Sequence, residues 1–349
     1  MRARSWRLPL VALAALVFAL ALASCGGDDD GDGNGNGDGA AEETNGSAEP
    51  VSTAIVLPCP ISDAWCKQGH DAAVALEEEG EIELEITTNA PQDTAGVTRV
   101  LSQYAQGGTE LLLAHSTWQD AAFATADQFP DANIATYSFE PHEQVAILEE
   151  PIHEAAYLAG MIAGGITETD VVGGLAGQDV PLCRAELEAF AEGAGRTNKN
   201  VEFVDNYLGE WNDAALGKQV TESLIDQDAD VVIACGGGPA SGMIQAIQEN
   251  DISGFGYVGD QSAEAPEHLV GSVMYNLEPY FGAVVEDVRN DEFRPAGTYS
   301  FGLADGGTDL LLNPDYNVTE IPDDVMQEME QVREEIQNGE FEVPYVPEA

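Results

Sequence analysis

Short β-rich runs alternate with helical stretches along this chain, and they do so in two successive series. The first series places strands at 53–57, 84–88, 110–114 and 133–137, separated by helices near 64–76, 94–104 and 119–129. The second places strands at 171–175, 201–207, 231–235 and 255–258, with helices near 184–194, 214–225 and 240–248. Strands separated by a helix pair in parallel, because the crossover returns the chain to the same end of the sheet. The pattern therefore predicts an α/β protein with two doubly wound parallel-sheet lobes. A helix at 153–165 joins the series, and a strand at 270–276, a helix at 279–289 and a last strand at 299–303 precede an acidic helix at 322–338. The expected division is 52–165 with about 277–305 in one lobe, 166–276 with about 306–321 in the other, and 322–349 as C-terminal helix and tail.

The N-terminus reads as an address. Arg2, Arg4 and Arg7 precede an apolar run of 16 residues, 8–23, which is short of the roughly 20 needed to span hydrocarbon. It fits a signal peptide over 1–24. Leu22-Ala23-Ser24-Cys25 resembles a bacterial lipobox, in which the cysteine thiol carries the lipid, so Cys25 is the expected anchor. Between 26 and 50 there are eight Gly and eight acidic residues with no Val, Ile, Leu or aromatic, so 25–51 is expected to be a flexible tether. Its Asp28–Asp38 run lacks the bidentate Glu of a calcium loop, and no metal is expected there.

Charge narrows the partners. With 63 Asp and Glu against 12 Lys and Arg, the formal net charge is −51, while 44% of positions are apolar and fill a core. Such a surface repels a phosphate backbone, so nucleic acid is excluded as a partner, and the acidity fits a salty medium that screens self-repulsion. Cys59, Cys66, Cys183 and Cys235 follow Cys25, an even number for an oxidising compartment. Cys59 with Cys66 and Cys183 with Cys235 are the favoured pairs, with buried free thiols as the alternative.

In open α/β sheets ligands bind beyond the carboxyl ends of strands, so the loops there are the candidates for a site between lobes. They carry Asp63 and Trp65 after the first strand, Trp118 and Asp120 after the third, and Trp211, Asn212 and Asp213 after the sixth. Outside the signal peptide these are all the tryptophans, and flat apolar faces beside carboxylates and an amide suit a planar ligand. Gly236-Gly237-Gly238-Pro239 lacks the Lys-Ser/Thr of a P-loop and reads as a close backbone approach, with Gly237 lining the cleft. Asp260 ends a strand and either contacts ligand or caps the next segment. His70, His115, His142, His153 and His268 form no metal-ligand spacing, and no nucleophile elbow is present, so neither cofactor nor catalysis is expected.

Six segments stand out: Glu154-Ala155-Ala156-Tyr157-Leu158-Ala159-Gly160-Met161, Gly209-Glu210-Trp211-Asn212-Asp213-Ala214, Leu224-Ile225-Asp226-Gln227-Asp228-Ala229-Asp230, Gly259-Asp260-Gln261-Ser262, Ser272-Val273-Met274-Tyr275-Asn276 and Ile336-Gln337-Asn338-Gly339-Glu340-Phe341. Together they resemble the basic membrane protein family of ABC-transporter substrate-binding lipoproteins. They occur in the family's order from about Thr53 to about Pro344. The resemblance implies a type I periplasmic-binding-protein fold with a three-strand hinge, closing on a small molecule that is delivered to permease subunits. It also implies a purine base or nucleoside as ligand, with Asp260 at the ribose-contacting position. Here 148–153 lacks the Phe of the nucleoside branch and Tyr275 replaces its Lys, beside Asn276, so the chain is closer to the adenine-like, free-base branch. The expected protein is a monomeric lipoprotein on the outer face of the cell membrane, or alternatively a sensory binding protein that signals to a membrane receptor or kinase, or a binder of another small polar ligand.

Overall fold

The computed structural model describes residues 49–345. The segments expected to be a signal peptide and most of a tether, with Cys25, lie outside them. The chain runs β1 (Val51–Val56), α1 (Ala64–Glu78), β2 (Ile82–Thr87), α2 (Thr94–Gly107), β3 (Leu111–Ala114), α3 (Gln119–Gln128), β4 (Asn133–Thr136), β5 (Val145–Glu149) and α4 (His153–Ile166). It continues β6 (Val171–Ala176), α5 (Pro181–Thr197), β7 (Glu202–Tyr207), α6 (Ala214–Ile225), β8 (Val231–Cys235), α7 (Gly237–Asn250), β9 (Ser253–Val258) and β10 (Leu269–Tyr275). Last come α8 (Glu278–Arg289), β11 (Thr298–Ser300), a 3₁₀ turn at Leu303–Asp305, β12 (Thr308–Leu312) and α9 (Asp323–Gln337).

Two six-stranded sheets result, ordered β11-β5-β4-β3-β1-β2 and β12-β10-β9-β8-β6-β7. All pairings are parallel except β10 with β12, which is antiparallel. Central strands β3, β8 and β9 are buried at every residue, as helices on both faces require, whereas edge strands β2 and β7 carry Glu83, Glu85, Glu202 and Asp205 at partly or fully exposed positions. The chain passes between the sheets three times, at 150–152, 276–277 and 301–307.

Two strands add to those expected from the sequence. β5 follows β4 in parallel with no helix between them, so the β–helix–β rhythm passes over it. β12 enters from the first sheet through a short glycine-containing turn and must run against β10. The last expected strand, 299–303, is a three-residue strand followed by the 3₁₀ turn.

Helix α4 packs along α5 and toward β8, β10 and β12, on the second sheet. A first lobe ending at 165 would separate it from these neighbours. A side chain at Gly160 would place Cβ 2.0 Å from the Phe190 carbonyl oxygen, and one at Gly193 would place it 2.1 Å from that of Tyr157. The Tyr-Leu-Ala-Gly segment is thus the face on which two helix backbones touch. Cys183 on α5 is bonded to Cys235 at the end of β8, with Cα atoms 5.6 Å apart, and Cys59 is bonded to Cys66 at 5.8 Å. Among the described residues no helix is long and apolar enough to cross a membrane.

Candidate functional site

A cavity of about 750 Å³ opens between the sheets. Its walls are strand-end segments of both: 58–65, 89–92, 116–117, 137–141 and 147–150 from the first, with Pro181, Leu182, Trp211, Asn212, Gly236, Gly237 and Tyr257 from the second. Tyr345 closes one side, its ring 5.2 Å from that of His153.

Asp63 fixes one wall. Its carboxylate caps α1 by accepting from the backbone N–H of Trp65 at 3.0 Å and of Cys66 at 3.4 Å. Trp65 is thereby set at the cleft, parallel to His115 at 4.3 Å and to Tyr275 at 5.8 Å, and tilted against Tyr137 at 5.2 Å. Burial pushes the His115 pKa down to about 4, so its ring is neutral. The Trp65 carbonyl can only accept, so His115 Nε2 carries the proton and donates across 3.1 Å, leaving Nδ1 to accept the Tyr137 hydroxyl at 3.0 Å. The Tyr137 oxygen is left with lone pairs beside the cavity.

Trp211 fixes the opposite wall. A Cβ at Gly177 would lie 2.4 Å from its indole Cε3, and one at Gly236 would lie 3.0 Å away, so the ring rests on bare backbone at the ends of β6 and β8. Gly236 also needs its residue type for φ of +117°. The walls meet where a Cβ on Gly237 would stand 3.3 Å from Asp63 Oδ2.

Asp63, Trp65, Trp211, Asn212 and Gly237 thus converge on one cavity, and Tyr275 packs beside Trp65. The other expected residues stand elsewhere. Trp118, 8% exposed, packs with Leu112, Ala121 and Ala122 in the core under α2 and α3, and Asp120 is exposed on the first turn of α3. Asp213 caps α6 through the N–H of Leu216, Asp260 accepts from Ser262 N–H at 3.0 Å, and Asn276 donates to the Gly306 carbonyl at 3.1 Å. None of these five lines the cavity.

The sequence reasoning did not single out Tyr137, Phe139, Glu149, Glu150, Leu182, Tyr257 or Tyr345. Tyr137 closes a predicted strand, as the residues before Trp65 do, so the strand-end rule contains its signal. Glu150 has no such signal among 63 carboxylates. It is 7% exposed, and burial raises its pKa to about 8, with only the neighbouring Tyr275 hydroxyl acting the other way. Glu186 on α5, fully buried, is pushed well above the ordinary range by burial and then by Glu150.

This geometry is that of a cleft between two lobes, and the comparisons with known proteins agree. The sequence profile described as "ABC transporter substrate-binding protein PnrA-like" (Bmp) matches residues 51–346. A relative from Haloferax volcanii, named for glucose binding by an ABC transporter, is 25% identical over 311 residues, covering 86% of this chain and 77% of the relative. A purine-binding protein from Brucella abortus is 22% identical over 291 residues, covering 82% and 81%. A solved solute-binding protein of an ABC transporter system from Aeropyrum pernix superposes with a TM-score of 0.72 at 22% identity, over 85% of this chain and 94% of that one. With two lobes, three crossings and a profile spanning nearly all of the described body, the chain belongs to the Bmp family of PnrA-like ABC transporter substrate-binding proteins.

Proposed function

We propose that this protein captures a neutral purine-type base, with a nucleoside as the next candidate, between its two lobes and delivers it to an ABC permease from a lipid anchor at Cys25 on the outer face of the membrane. The observation that carries this reading is the composition of the cavity wall. Trp65, Tyr137, Tyr257 and Trp211 offer aromatic surface from both lobes, Asp63, Asn212, Asn89 and Gln92 offer polar edges, and among the described residues no Lys, Arg or His lines the space. A planar heterocycle gains from the first two features and a phosphate or carboxylate ligand is disfavoured by the third. The purine-binding relative supports the class, and the lipobox after the apolar run supports the anchor.

Calorimetry in molar salt against purine bases, their nucleosides, glucose and amino acids tests the proposal. Binding of a base or nucleoside, with a raised melting temperature by mass action, is the expected result. Binding of glucose and of no purine, as the name of the Haloferax relative would suggest, overturns it.

A further inference from the structure

Glu150 stands at the first crossing between the lobes, one residue past β5, and lines the cavity although only 7% of it is exposed. Its Oε1 has no hydrogen-bond partner, and the Tyr275 hydroxyl beside it opposes the effect of burial without reversing it. The titratable groups facing it come from five elements: Tyr137 after β4, Tyr257 on β9, Tyr275 on β10, Tyr280 on α8 and Glu186 on α5. All are phenols or a second carboxyl, and no cation stands among them. A carboxylate in such a place would be a buried, uncompensated charge, so the group holds its proton. A protonated carboxyl presents one O–H donor beside one carbonyl acceptor in a single plane. That pair complements a heterocycle edge on which an N–H lies next to a ring nitrogen or an exocyclic oxygen.

We propose that Glu150, as a neutral carboxylic acid, reads the hydrogen-bonding edge of the bound base and so determines which purines the cleft accepts. This rests on the purine reading above. Bases with a donor and an acceptor side by side satisfy both oxygens of Glu150, whereas 9-methylpurine, which carries no N–H on any edge, leaves one of them buried and unpaired. Sites built around such a pair discriminate strongly, because the analogue strands a polar group.

The test is calorimetry on the full chain and on E150A and E150Q, in molar salt, with adenine, guanine, hypoxanthine and 9-methylpurine. Wild type is expected to bind at least one substituted base at least tenfold more tightly than 9-methylpurine. E150A is expected to lose most of that preference through a ten- to hundredfold weaker substituted base, and E150Q, which keeps a donor beside an acceptor, to recover most of it. Between about pH 7 and pH 9 the wild-type affinity is expected to fall about tenfold relative to E150Q, because only Glu150 can ionise and Gln cannot. The near-isosteric E150Q carries this readout even if E150A does not fold. Retained preference in E150A, or parallel pH profiles for wild type and E150Q, overturns the role of Glu150 and leaves the purine reading standing. A wild type that binds none of the four bases overturns both.

Discussion

Trp211 owes its place to what two neighbours lack. Gly177 and Gly236 leave backbone bare beneath the indole, and any side chain at Gly177 would collide with it. Base–aromatic stacking contributes about 1–3 kcal/mol, so Trp211→Ala is expected to weaken base binding roughly 5- to 150-fold. Unchanged affinity by calorimetry would remove the stacking role. Buried titratable groups give a second expectation. Glu150 moves from 4.5 unfolded to about 8 folded, so the folded chain binds the extra proton in that interval and stability is lost as pH rises from about 4.5 to 8. His115 and His153, both pushed down to about 4 by burial, act oppositely: stability is gained as pH rises from about 4 to 6.5. From these three groups, stability in thermal melts should therefore peak near pH 6.5 and decline on the alkaline side by about 1 kcal/mol, and E150Q should flatten that decline; an alkaline limb identical in E150Q would refute the assignment. Trp65 and Trp211 were legible because their residue type is rare and they follow strands. Trp118 has the same two signals yet, at the N-cap of α3, packs inward against Leu112, Ala121 and Ala122.

Elements were more legible than the contacts between them. Every helix was anticipated from the alternation of β-rich and helical stretches, and three of them, α1, α2 and α6, start on a capping carboxylate at Asp63, Asp93 and Asp213. Strands β5 and β12 were hidden because their connections contain no α-helix. What the pattern could not show is the backbone contact of α4 with α5, where Cβ at Gly160 would meet Phe190 O at 2.0 Å. Gly160→Leu must therefore push the helices apart, at an expected cost of roughly 2 to 4 kcal/mol by chemical denaturation. A loss below about 0.5 kcal/mol would show that the pair has slack. The Cys183–Cys235 bond ties α5 to β8 across 52 residues of chain, and the unfolded-chain entropy it removes corresponds to about 4 kcal/mol. Paired alanine substitution at these cysteines should lower the midpoint of denaturation more than the same change at Cys59 and Cys66, whose loop spans 7 residues.

Across the whole molecule, charge is the property that folding leaves unresolved. Lys67, Arg184, Arg196, Lys218, Arg289, Arg294 and Arg333 each pair with a carboxylate in the described body. Even with all 12 cations matched, 63 − 12 leaves 51 acidic groups without a partner. Exposed pairs of this kind contribute about 0–1 kcal/mol each, too little to offset repulsion summed over a surface of one sign. Screening can offset it: the Debye length falls from about 10 Å at 0.1 M salt to about 3 Å at 1 M, below the spacing of most surface carboxylates. The melting temperature is therefore expected to rise steeply from 0.1 to 1 M KCl and more slowly beyond, with the same course in NaCl, since screening depends on ionic strength and not on the ion. A strong preference for one cation would replace screening with specific ion binding, and a melting temperature indifferent to salt would show that the acidic surface costs the fold nothing. Ligand affinity should vary less over the same range, because a neutral heterocycle enters a cleft where, among the described residues, no wall carries a cation to be screened.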